Sequence, residues 1–235
     1  MFNYPHIPVL RGVTLQVREG EVLSIVGGSG CGKTTLLNIL AGFVLPQRGQ
    51  VLMDGQPVTA GGPERAVVFQ EDAIFPWRTI AGNVRYGLEH RGRSRKECDG
   101  IVNEILSLVR LQDYATKYPK ELSGGMRKRV DLARALAVSP RVLLMDEPYA
   151  ALDAFTKEQL QLELLSIVSR QQTAVVFVTH DLEEAIFVAN RVLVLRDGVI
   201  SESLDVPFGR NRSLLLKGEP CFQRLRARLR GWIEG

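Results

Sequence analysis

The segment that most restricts the fold of this chain is Gly27-Gly28-Ser29-Gly30-Cys31-Gly32-Lys33-Thr34, which satisfies the spacing G-x-x-x-x-G-K-[ST]. It lies between an apolar run, Val22–Val26, and the stretch Thr34–Ala41, where Leu36, Leu37 and Leu40 recur at helical spacing. Glycines let a backbone curl so that successive N–H groups point inward, and the following helix turns its positive end to the same place. That arrangement binds the phosphates of a nucleotide. Lys33 is expected to reach the β- and γ-phosphates and the Thr34 hydroxyl to ligate Mg²⁺. Thr35, next in the chain, completes the expected nucleotide-binding set of residues 27–35.

Around this loop, short apolar runs alternate with helical patterns. Strands are expected at Gln50–Met53, Ala66–Gln70, Arg141–Met145, Ala174–Thr179 and Arg191–Leu195, with helices at Lys157–Ser169 and Leu182–Ala189. A mainly parallel sheet covered by helices is written in this order. Asp54-Gly55 marks a turn after the first of these runs. From Asn83 to Val138 the texture is helical, with Ile101, Ile105, Leu108 and Val109 at intervals of three and four. The expected organisation is one α/β domain over 1–235, with a core at about 1–82 and 140–201, a helical insertion at about 83–139 and a short extension at 202–235.

Composition limits the setting. With 235 residues, 45% hydrophobic and 24% charged, the chain can build a sizeable core without staples. Its three cysteines, Cys31, Cys98 and Cys221, suit neither a disulfide framework nor a zinc site, which points to a reducing compartment such as the cytoplasm. No apolar run reaches the roughly 18–20 residues that cross a bilayer, and Met1–Pro8 does not read as a signal peptide. The net charge of +4 owes much to Arg91, Arg93, Arg95 and Lys96, and to Arg224, Arg226, Arg228 and Arg230. These are either solvated faces or a surface for acidic lipid headgroups or an acidic partner. Neither stretch carries a nucleic-acid motif, and no nucleic-acid partner is expected.

Val142-Leu143-Leu144-Met145-Asp146-Glu147 reads as a buried strand ending in two acids. In open parallel sheets ligands bind at the carboxyl ends of strands. Asp146 is placed to hold Mg²⁺ through its water shell, and Glu147 to polarise an attacking water.

Leu122-Ser123-Gly124-Gly125-Met126 stands ahead of a helix expected at Arg127–Val138. Taken alone it is either an ordinary N-cap or a second phosphate-facing helix start. Taken with the glycine loop and the acidic strand, in this order, it resembles the signature motif of ABC ATPases. The resemblance runs from Tyr4 to about Ser201, with Met126 in place of the glutamine common at the motif's fifth position. It implies a P-loop NTPase (RecA-like) α/β core with a mixed sheet, a small N-terminal antiparallel β subdomain and an inserted helical subdomain. It also implies ATP and Mg²⁺ as ligands and a second ATPase subunit. In that pair, Ser123, Gly124 and Gly125 of one copy face the γ-phosphate held by the other, and Asp153 lies on the loop linking the two sites. Gln70, expected at a strand end, is implied as the sensor of Mg²⁺ and water, and His180 as the switch that contacts the γ-phosphate. Tyr4 stands where the family places a ring against adenine, although it is close to the start of the chain. A lone histidine or a surface tyrosine is more often structural.

Phe75-Pro76-Trp77-Arg78-Thr79 and Ala151-Leu152-Asp153-Ala154-Phe155-Thr156 look like the ATPases of nitrate, sulfonate and taurine importers. By that resemblance the partners are transmembrane permease subunits and, indirectly, a substrate-binding protein, with the chain peripheral on the cytoplasmic face of the inner membrane. Trp77 either packs into the core or helps form a groove for a permease helix. Two other readings stay open: a soluble ABC ATPase of DNA repair or translation, and a non-catalytic nucleotide-sensing module.

Overall fold

The computed structural model describes residues 9–150, 152–209 and 211–234. Tyr4 and Ala151 lie outside the described residues. In chain order the elements are β1 (Val22–Val26), α1 (Lys33–Ala41), β2 (Leu52–Met53), β3 (Gln56–Pro57), β4 (Arg65–Val68), α2 (Ile80–Glu89), α3 (Arg95–Leu108), α4 (Gly124–Ala137), β5 (Val142–Asp146), α5 (Ala154–Gln171), β6 (Ala174–Thr179), α6 (Leu182–Val188), β7 (Arg191–Arg196), β8 (Val199–Asp205) and α7 (Pro220–Glu234).

Every residue of β1 and β6 is buried, because these strands lie in the middle of a six-stranded sheet of order β4-β5-β6-β1-β7-β8. All pairings are parallel except β7–β8. Alternate side chains serve opposite faces. Val22, Val26, Leu143, Met145, Val175 and Phe177 join the larger core with α4, α5 and α6, while Ile25, Leu144, Val176 and Val178 meet Leu36 and Leu37 of α1. Strands covered on both faces read as unbroken apolar runs, which is why the central ones were visible in the sequence.

Two antiparallel hairpins flank this core. Asp54-Gly55 joins β2 to β3, and Asp197-Gly198 joins β7 to β8, each with both residues at positive φ, as a type I′ turn requires. Among the described residues, the antiparallel part of the N-terminal region is the β2–β3 hairpin. Val13, Leu15 and Val17 lie against the smaller core without joining a ladder. β8 continues the sheet to Asp205.

The helices α2, α3 and α4 fall between β4 and β5 and pack on one another, and each begins on a capping side chain. Thr79 accepts from the Gly82 N–H at 3.1 Å, Ser94 and Glu97 form a reciprocal capping box, and Ser123 accepts from the Met126 N–H at 3.3 Å. The last bond starts α4 at Gly124, earlier than the expected Arg127, so the two signature glycines belong to its first turn. β4 ends at Val68, earlier than the expected Gln70. Beyond it Lys128 Nζ takes the carbonyls of Phe69 and Gln70, at 2.5 and 3.0 Å, and draws the chain off the sheet. Gln70 is therefore on an exposed loop two residues past the strand.

Candidate functional site

The glycine loop leaves β1 and closes on α1. A Cβ at Gly27 would lie 2.2 Å from the Leu195 carbonyl oxygen, so the loop passes too close to β7 for any side chain there. Gly32 caps α1 at φ 105°, a left-handed conformation that favours glycine. Lys33 is only 7% exposed, and its ammonium donates to the carbonyls of Gly27 and Gly28, both at 2.9 Å. A cation thus sits inside the loop whose outer residues, 28–30, are open to solvent. Cys31 and Thr35 are half-buried on either side of the turn into the helix.

Thr34 is exposed, and its side chain lies beside Asp146 at the end of β5. Burial pushes the Asp146 carboxyl up, and the neighbouring Glu147 adds to this, while the Thr34 hydroxyl and Lys33 pull it back. A hydroxyl and a buried carboxylate short of countercharge suit a hard cation such as Mg²⁺. Among the described residues no group of three or more His, Cys, Asp or Glu could hold a metal. A metal here would therefore draw its remaining ligands from phosphate and water, the usual arrangement for Mg²⁺.

Glu147 follows β5 at φ 42°, uncommon for a residue with a side chain, and its N–H is tied to the Val178 carbonyl at 2.9 Å. This turns its carboxylate toward the end of β6, where Oε2 lies 3.0 Å from His180 Nδ1. The structure therefore brings together Lys33, Thr34, Asp146, Glu147 and His180 at the carboxyl ends of three adjacent strands, where a parallel sheet binds ligands.

Ser123, Gly124 and Gly125 are not part of that group. A cleft of about 550 Å³ runs between Gly27–Ser29, His180 and α7; none of the three lines it, and neither do Lys33, Thr34, Asp146 or Glu147. Ser123, Gly124 and Gly125 start α4, which packs tightly on α5: a Cβ at Gly125 would lie 2.4 Å from Thr156 Cγ2. Asp153 caps α5 by accepting from the Thr156 N–H at 3.0 Å, and the Thr156 hydroxyl, with that N–H, holds its carboxyl below the ordinary value. Gln70 does not reach the cleft lining either.

Several residues that the sequence reading passed over hold the Gln70 loop. Besides Lys128, Arg127 pairs with Asp72 at 2.9 Å, and Arg134 donates to the Ala73 carbonyl with its guanidinium 5.3 Å from the Phe75 ring centroid. Asn83, fully buried on α2, donates to the carbonyls of Phe75, Arg78 and Thr79 and accepts from the Phe75 N–H. The only hint in the sequence was polar residues inside a helical apolar pattern, where an unpaired amide or cation would be costly. Trp77 is 71% exposed, which removes the core alternative, and its ring lies 5.4 Å from Phe75.

A phosphate-binding loop before a helix, acids at the next strand end and a histidine set against one of them define a class, the nucleoside-triphosphate-hydrolysing cassettes. Residues 10–150 match the family model described as ABC transporter, and the chain belongs to that family as an ATP-binding, ATP-hydrolysing cassette. It is 45% identical over 229 residues to the taurine import ATP-binding protein TauB of Pseudomonas putida, covering 94% of this chain and 87% of that protein. The protein of the same name from Yersinia pestis is 44% identical over 221 residues, covering 93% and 86%. Among solved structures, the dimeric structure of a bacterial ABC transporter cassette matches at a TM-score of 0.76 and 33% identity, covering 86% of this chain and 92% of the other. A dimeric post-hydrolysis cassette bound to ADP and Pi matches at 0.76 and 30%, covering 88% and 96%.

Proposed function

We propose that this chain is the ATPase subunit of an importer for a small sulfonate such as taurine, working as a pair of copies beneath permease subunits on the cytoplasmic face of the inner membrane. The observation that carries this reading is the likeness, at 44–45% identity over more than nine-tenths of the chain, to taurine import ATP-binding proteins. The exposed Trp77, set against the Phe75 ring that Arg78 covers in turn, on the loop that α4 grips, supports a docking surface for a permease segment. Among the described residues no helix is long and apolar enough to cross a membrane.

In this mechanism Lys33 and the N–H groups of the loop hold the triphosphate of ATP, and Tyr4 meets the adenine. Thr34 and Asp146, with Gln70, are the residues that would hold Mg²⁺, which when bound would neutralise charge on the triphosphate. Glu147 orients and polarises the attacking water, and His180, within hydrogen-bond distance of Glu147, faces the γ-phosphate. Ser123, Gly124 and Gly125 of the partner copy close over the same phosphate, and Asp153 belongs to the loop that meets the opposite site. Binding and hydrolysis then shift a population between open and closed pairs. The test is uptake of labelled taurine, ethanesulfonate and nitrate by cells with and without the gene. Loss of sulfonate uptake, restored by the wild-type chain but not by Lys33→Ala, is expected. Unchanged uptake of sulfonates in the deletion strain would exclude the substrate assignment, and selective loss of nitrate uptake would replace it.

A further inference from the structure

We propose that the extension after β8 is a working part of the hydrolysis site. It sets the position of His180, with Lys217 and Arg226 as positioning residues that act through Glu183. The inference rests on the site reading above, in which His180 faces the terminal phosphate.

The His180 ring is largely exposed, and its side-chain partner among the described residues is Glu147. Its place is therefore decided by the backbone that carries it, the end of β6 and the first turn of α6. A helix of seven residues is too short to hold itself. Its first turn presents Asp181, Glu183 and Glu184, each met by a cation from another element. Lys157 of α5 pairs with Asp181 at 3.4 Å and Glu184 at 2.6 Å. Glu183 is taken by the extension: Lys217 lies at 3.2 Å and Arg226 of α7 at 3.5 Å. Lys217 also pairs with Glu158 of α5 at 3.1 Å, so α5, α6 and the extension share one cation.

The far end of α6 is closed from the same extension. Arg212 donates to the carbonyls of Ile186, Phe187 and Ala189 at 3.0, 2.7 and 2.8 Å, satisfying groups the helix leaves open. Burial pulls the Arg212 guanidinium down to about 10, so it remains a cation at neutral pH, placed where a helix end favours one. The extension is itself anchored, since Phe222 and Leu229 of α7 are fully buried in the larger core and the Phe208 and Phe222 rings lie 6.0 Å apart.

α7 also forms one wall of the cleft, with Arg226, Arg230 and Ile233 opposite Gly27–Ser29 and His180. The helix that walls the cleft is thus tied to the turn that carries the imidazole. A shift of α7 is passed by Arg226 to Glu183, three residues beyond His180, and moves the ring relative to Glu147. Partly exposed ion pairs add little to stability, so the pairing's value is directional.

The test uses the full chain with Arg226→Ala, Arg226→Lys and Glu183→Gln. It measures kcat and KM for ATP together with the imidazole NMR signals of the three histidines. Arg226→Ala is expected to lower kcat by about tenfold, the scale of a small misplacement of a reacting group, with KM little changed. The His180 signal should move while that of His90, on α2's C-terminal side, stays, and lysine at 226 should restore both kcat and the signal in large part. An unmoved His180 signal in Arg226→Ala and Glu183→Gln, or a rise in KM at unchanged kcat, would overturn the proposal. If Arg226→Ala does not fold, the near-isosteric Glu183→Gln carries the same test. Absence of ATP turnover in the wild-type chain would instead sink the site reading, and the His180 signal would still judge the link.

Discussion

Glu147 holds a positive φ of 42°, a conformation that costs of order 1–3 kcal/mol and persists only where the surroundings enforce it. The enforcing contact is its N–H bond to Val178, which leaves the carboxylate free to meet His180. Glu147→Gln keeps the shape and removes the basic oxygen. Its turnover should fall by about a hundredfold or more while nucleotide binding is retained, as phosphate release and equilibrium binding would measure. Normal turnover would take Glu147 out of its role. Asp131 on α4 gives a test in pH. Burial pushes its carboxyl up to about 6 against the pull of Arg134 and Lys128. The folded chain therefore holds this proton more tightly than the unfolded chain, whose value is near the ordinary 3.8. Its contribution to stability is fully present below that value and is lost as pH rises through about 6. Relative to Asp131→Asn, the wild type should lose on the order of 2 kcal/mol between pH 4 and pH 6 in denaturant unfolding, and parallel curves would contradict the assignment.

At the scale of elements, α4 is the crossing point. Its first turn presses on α5 through Gly125, and Arg127, Lys128 and Arg134 grip the loop that carries Gln70 and Trp77. Gly125→Ala places a methyl group against Thr156 Cγ2 and should destabilise the fold by about 1–3 kcal/mol. Adding Thr156→Ser removes the opposing methyl group while keeping the hydroxyl, and most of that loss should return. Failure of the pair to compensate would mean that the loss does not come from this contact. Much of this layer was legible beforehand, because β1, β5, β6 and β7 are buried on both faces and bounded by breakers. β8 was not. Its residues are mostly exposed on a sheet edge, so no apolar run announces it. Yet Asp197-Gly198 repeats the signal that marked the β2–β3 turn. The same division runs through the site. Contiguous residues such as Gly27–Thr34 and Asp146-Glu147 advertise their chemistry by spacing, whereas Lys128 serves carbonyls 58 and 59 residues away, and pairing at that range leaves no local pattern.

For the molecule as a whole, the notable feature is separation. The glycine loop and the helix start at Ser123 occupy different places on one chain, and only the first borders the cleft beside His180. An engine whose combustion chamber needs walls from two blocks obeys a different rate law from one that is complete in itself. At high dilution the output of each molecule should grow in proportion to its concentration, and it should level off once every molecule has found a mate. A dilution series of phosphate release measures this directly, and constant output per molecule down to the most dilute sample would mean that each chain runs alone. On the function proposed above, the same law would give the cell a throttle that needs no inhibitor: membrane proteins that gathered these chains in twos would raise the local concentration, and ATP would be spent only where there is a gate to move.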